Sequence, residues 1–197
     1  MKRVLLRLAS CLIISLSFLL SCNVNNATRQ EIEGKKLECD SLLLFKDREY
    51  SLVSDTVFKG VSVLLWIDST KCSQCELERL GNYDSFNSLC QKTMGKECSL
   101  KVVISLSELY GIGYLINDVK YLNHSFDIMI DYKNRFTSFF NCNDRLLLVL
   151  KDGRVLKYYR MENTEGDAYR MKECLDYLKQ MYEEQYNHHD KKRRSRY

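Results

Sequence analysis

The stretch Val61 to Leu80, VSVLLWIDSTKCSQCELERL, constrains the fold more than any other part of the chain. Val61 to Ile67 is an apolar run with the length and bulk of a strand buried on both faces. A short polar turn, Asp68 to Lys71, follows it. Cys72-Ser73-Gln74-Cys75 then opens a segment in which Leu77 and Leu80 are spaced for one face of a helix. Strand, turn and helix with a Cys-x-x-Cys at the helix start predict a redox site. The unsatisfied amides and the helix dipole at such an end favour a thiolate over a thiol. Lys71 adds a positive charge one residue upstream, while Glu76 and Glu78 act against it. Cys72 is the expected exposed nucleophile and Cys75, one turn inside, the resolving thiol. A Cys-x-x-Cys also serves as half of a zinc site, but that needs a second pair at suitable spacing. Cys90 and Cys98 have seven residues between them, so the redox reading is preferred and no metal ligands are expected.

The N-terminus decides what the folded protein contains. Lys2, Arg3 and Arg7 precede an apolar run from Leu8 to Leu20, ending at Ser21-Cys22. That is the pattern of a secretory signal, and Leu19-Leu20-Ser21-Cys22 reads as a lipobox in which Cys22 is acylated. Leu8-Ala9-Ser10-Cys11 also spells one, with almost no apolar run before it. The hydrophobic stretch is short for spanning a bilayer. Lipid on Cys22 would instead hold the domain at a membrane surface. The expected organisation is a signal over 1–21, a flexible tether over 22–37, one domain over 38–187 and a disordered basic tail over 188–197.

Charge narrows the class of partner. The whole chain carries a formal +4, and the signal holds three of the basic residues. The tail from Asp190 to Tyr197 has five basic residues and one acid, so the body between is close to −3. Nucleic-acid binding needs basic charge spread over a face, and that is excluded here. The run Lys191-Lys192-Arg193-Arg194-Ser195-Arg196 reads as solvated, or as a weak contact for anionic lipid.

Five cysteines remain beyond Cys11, Cys22, Cys72 and Cys75: Cys39, Cys90, Cys98, Cys142 and Cys174. An exported chain meets conditions that permit disulfides, and an odd number leaves at least one thiol. Cys90 and Cys98, on either side of the polar Gln91–Glu97, are the expected structural pair. Sequence alone does not fix the connectivity.

Taken in order, Ser41–Phe45 and Glu49–Val53 are short strands, and the helix after Cys72 runs to about Leu89. Leu100–Leu106 is a second buried strand. Ser107 to about Leu122 shows a helical stripe, weakened by Gly111 and Gly113. Phe126–Ile130 is a third strand, and Asp131–Asn143 a short helix or loop. Leu146–Leu150 and Arg154–Tyr159 form a hairpin around Asp152-Gly153. Asp167 to about Asn187 is a helix with Ala168, Met171, Leu175, Leu178 and Tyr182 on its inner face. Strands alternating with helices predict an α/β fold with parallel pairing through right-handed crossovers.

Cys72 and Cys75 after the buried strand, with the late hairpin around Lys151-Asp152-Gly153, make roughly residues 38–185 resemble the thioredoxin-like superfamily, and most closely its membrane-tethered envelope members of the TlpA/disulfide-reductase kind. The resemblance implies a thioredoxin-like fold: a central mixed sheet flanked by helices, here with extra short strands at the N-terminus. It implies a thiol–disulfide oxidoreductase in the bacterial cell envelope, facing the periplasm, with a protein disulfide as substrate or redox partner and no cofactor. The chain departs from the family in containing no proline. Arg145 or Leu146 stands where the family places a cis-proline, and a non-proline cis bond costs about 2.5–4 kcal/mol. Arg145 is either a cation brought near Cys72 or an exposed residue at a strand start. Cys142, three residues earlier, would lie near the Cys-x-x-Cys, as a third redox thiol or as a buried inert one. Lys71 replaces the family's tryptophan, and Asp68 is expected to be solvated. The alternative to an enzyme is a thioredoxin-like module that binds a partner at the membrane surface without catalysis.

Overall fold

The computed structural model describes residues 32–46, 49–68, 79–105, 124–140, 145–161 and 164–194. Its centre is a seven-stranded sheet built from β1 (Leu42–Lys46), β2 (Glu49–Leu52), β3 (Val61–Ile67), β4 (Leu100–Ser105), β5 (Asp127–Asp131), β6 (Arg145–Lys151) and β7 (Arg154–Met161), in the spatial order β2-β1-β5-β4-β3-β6-β7. β3, β4 and β5 run parallel, and every other neighbouring pair is antiparallel. β3 lies inside the sheet, between β4 and β6, because every residue of it is apolar or small enough to bury, and all six after Val61 are buried. Strands covered on both faces lose the in–out alternation of half-exposed ones.

Alternate residues of β3 feed two cores. Val63, Leu65 and Ile67 pack under α1 (Tyr83–Met94) and α3 (Thr164–Arg194). Leu64 and Trp66 pack with Phe136 and Phe140 of α2 (Arg135–Phe140), and with Phe58, Ile32 and Leu37. Asn87 of α1 joins elements that are far apart in sequence: its side-chain amide donates to the Ser125 carbonyl at 2.9 Å and its oxygen accepts from the Leu100 amide at 2.7 Å. The β6–β7 hairpin turns through Asp152 (φ 52°) and Gly153 (φ 76°), a pair of left-handed residues that matches the strand twist. Asp152 also accepts from the Gly60 amide at 2.9 Å, fastening that turn to the start of β3.

Several boundaries differ from expectation. Residues 32–37 belong to the folded body rather than to a tether. Ile32 and Leu37 are buried, and the Gly34 and Leu37 amides donate to the Val155 and Gly153 carbonyls along the edge of β7. α1 continues past Leu89 to Met94, because nothing stops it before Gly95, whose φ of 95° ends the helix. Cys90 is therefore a helical residue. α3 runs to Arg194, so 188–194 are helical rather than disordered. Past Gly166 this stretch contains no glycine or proline, and its closing basic residues suit the negative end of the helix dipole. The inner face of α3 is also rotated from the expected stripe: Asp167, Cys174 and Leu178 are buried, with Met171 and Met181 partly so, while Ala168 and Tyr182 are exposed. The helix expected after Ser107 lies outside the described residues.

Candidate active site

The C-terminal ends of β3, β4 and β5 lie on one edge of the sheet, where parallel strands in an open α/β sheet present their loops. Ile67 pairs with Ile104 on one side and with Arg145 on the other, and Ser105 pairs with Asp131. Asp68 follows directly, and the segment carrying Lys71, Cys72 and Cys75 departs from it. Those three residues, like Cys142 and Cys22, lie outside the described residues. The described residues at this end of the sheet form the frame from which that segment departs, with Asp68 four residues upstream of Cys72.

That frame is polar and buried, contrary to expectation. Asp68 is not solvated: it is 1% exposed and accepts a 3.0 Å hydrogen bond from the Thr137 hydroxyl of α2. Arg145 is neither an exposed strand end nor uncommitted. It is 4% exposed, and its Nη1 lies 2.9 Å from Asp167 Oδ2 at the start of α3. The Tyr83 hydroxyl of α1 lies 3.5 Å from the same carboxylate oxygen, and Arg79 adds a favourable charge. Burial pushes Asp167 up from the ordinary carboxylate range, and the Arg145 and Tyr83 contacts offset this only in part. Nothing in the local sequence marks Asp167 as a partner of Arg145, because they meet only when α3 folds back over β6.

On the opposite face, Trp66 Nε1 donates to Ser105 Oγ at 2.9 Å, and Ser105 donates to Asp131 Oδ2 at 3.3 Å. Asp131 also accepts from the Phe136 amide at 2.8 Å and so caps α2. The Trp66 and Phe140 rings pack with centroids 4.8 Å apart. These contacts fix the ends of β3, β4 and β5 relative to one another.

Cys90, Cys98 and Cys174 have the opposite character to a reactive thiol. Burial pushes Cys90 well up, raises Cys98 to about 11 and raises Cys174 well above the usual value. All three are thus held protonated and unreactive. Among the described residues Cys39, Cys90, Cys98 and Cys174 are all free thiols, so the structure contains no Cys90–Cys98 bond. His124 is largely buried, with Nδ1 3.0 Å from Asp84 Oδ2. An open cleft of about 630 Å³ lies at the far end of the sheet, lined by Leu37, Phe58 and Gly153, away from the end of β3.

No family model and no curated protein matches the sequence. Among solved structures, PrxQ of Xylella fastidiosa superposes with a TM-score of 0.51 at 15% identity, over 76% of this chain and 96% of that one. A Bacteroides thetaiotaomicron protein assigned only provisionally as a protein disulfide isomerase superposes with a TM-score of 0.51 at 14% identity, over 75% and 90%. The chain has a thioredoxin-like fold. β3 is the strand whose chain continues toward Cys72, and β6 is its antiparallel neighbour, starting opposite Ile67. Arg145 occupies the first position of that neighbouring strand. Among the described residues no helix is long and apolar enough to cross a membrane.

Proposed function

We propose that this protein is a thiol–disulfide oxidoreductase of the bacterial cell envelope, held at a membrane by lipid on Cys22. The reading is carried by one observation: the sequence places Cys72-Ser73-Gln74-Cys75 directly beyond the buried end of β3 in a thioredoxin-like fold. Cys90, Cys98 and Cys174, being buried and protonated, are poor competitors for the role. In the proposed reaction the Cys72 thiolate attacks one sulfur of a partner disulfide and releases the other as a thiolate. Cys75 then attacks the mixed disulfide, the partner leaves with both sulfurs reduced, and a Cys72–Cys75 disulfide holds the two-electron oxidation. Lys71 favours the Cys72 thiolate through its charge. Arg145, engaged by Asp167, acts by holding the start of β6 beside the site.

The test is insulin reduction by the mature domain, with Cys72→Ser as control. Turnover by the wild type and loss of at least about 100-fold in the variant are expected. Equal inactivity of the two, with a Cys72–Cys75 disulfide that resists reduction, would instead support a binding module. The reduction potential of that pair distinguishes a reductant from an oxidant.

A further inference from the structure

Three thiols outside the Cys-x-x-Cys meet in the core on the first face of the sheet. Cys90 is on the inner side of α1, Cys174 on the inner side of α3, and Cys98 in the connection from α1 to β4; they are 0%, 0% and 2% exposed. All three belong to one continuous apolar cluster with Leu100, Tyr159 and Leu178, and α1 packs directly on α3. They are also near enough to act on one another electrically. A charge on Cys98 would oppose ionisation of Cys90, and Cys174 responds first to Cys90 and then to Cys98.

A trio admits one disulfide and leaves one thiol. Two observations select the pair. Cys90 and Cys174 sit on the two packed helices, whereas Cys98 lies in the connection after α1. A bond between them would also join positions 84 apart in the chain, whereas Cys90 and Cys98 are eight apart. A longer closed loop restricts the unfolded chain more. We propose that under oxidising conditions Cys90 and Cys174 are joined as a disulfide that fastens α3 to α1, with Cys98 left as a thiol. In that step the two thiols lose two protons and two electrons. The acceptor is a small-molecule or protein disulfide, which becomes two thiols. Exchange requires a thiolate, which the finished core suppresses, so the bond forms as α3 comes to rest on α1, while solvent still reaches the sulfurs, and is then shielded from reductants.

The test is a disulfide map of the full chain after refolding in oxidised and reduced glutathione. Free thiols are blocked with N-ethylmaleimide in denaturant, and the peptides are read by mass spectrometry without reduction. The expected result is a cross-linked peptide pair containing Cys90 and Cys174, with the maleimide on Cys98. A Cys90–Cys98 bond, a Cys98–Cys174 bond, or maleimide on both Cys90 and Cys174 overturns the proposal. The same map is expected from a Cys72→Ser/Cys75→Ser chain, which separates this result from the proposed redox activity. Oxidation should raise Tm in the wild type and in Cys98→Ala, and should not do so in Cys174→Ala. If Cys174→Ala fails to fold, the wild-type map decides.

Discussion

Arg145 begins β6 with its guanidinium sealed between the sheet and α3, and its charge is met by Asp167. Removing one member of a buried pair strands the other, so Asp167→Ala should lower stability by about 3 kcal/mol in urea unfolding. Replacing both residues with leucine should recover most of that loss, since an apolar pair of similar volume needs no desolvation of charge. A double variant as unstable as the single one would show that Arg145 does not depend on Asp167. Asp84 tests the opposite electrostatic sign. Burial alone would raise its pKa, but the Ser125 amide and hydroxyl and His124 together hold the carboxyl below the usual range. A lowered folded-state value means stability that is present above the ordinary carboxylate pKa and lost as pH falls through the folded one. Asp84→Asn should therefore be less stable than the wild type at neutral pH, with the gap closing in acid. The Asp84 side chain is 38% exposed, so the gap should also shrink with salt. A gap that widens in acid would contradict this assignment.

The elements divide by what covers them. α3 is a two-part helix: its first half is packed through Cys174 and Leu178, while residues 182–187 are all exposed. Leu178→Ala should cost about 2–5 kcal/mol through lost burial and the cavity left behind. Deleting residues 188–197 should leave the melting temperature within about 2 °C, because the helix is already exposed over 182–187 and an unpacked helix end adds little to global stability. A large drop on truncation would mean that the basic end packs against the body. The strands were legible because their signals are local: β3, β4 and β6 are nearly unbroken apolar runs, and Asp152-Gly153 marks its turn. The helix limits were less so. Gln91–Met94 reads as polar loop in sequence, yet it is the last turn of α1, with Lys92 exposed and Met94 packed against the core.

For the whole molecule, the order β2-β1-β5-β4-β3-β6-β7 predicts a gradient of protection. Amides of β3, β4 and β6 should exchange slowest, and those of β2 and the last turns of α3 first. Hydrogen exchange that protects β2 as strongly as β3 would be inconsistent with β2 at the edge. The sequence by itself determined the α/β class, the buried strand β3 and the hairpin. Apolar periodicity and turn residues act over a few positions, and each element carries its own pattern. Only the tertiary structure decided that Arg145, Asp167 and Asp68 are buried and that Cys90, Cys98 and Cys174 converge. Those outcomes depend on which distant segments come together, and a polar side chain carries no local mark of the partner that will neutralise it.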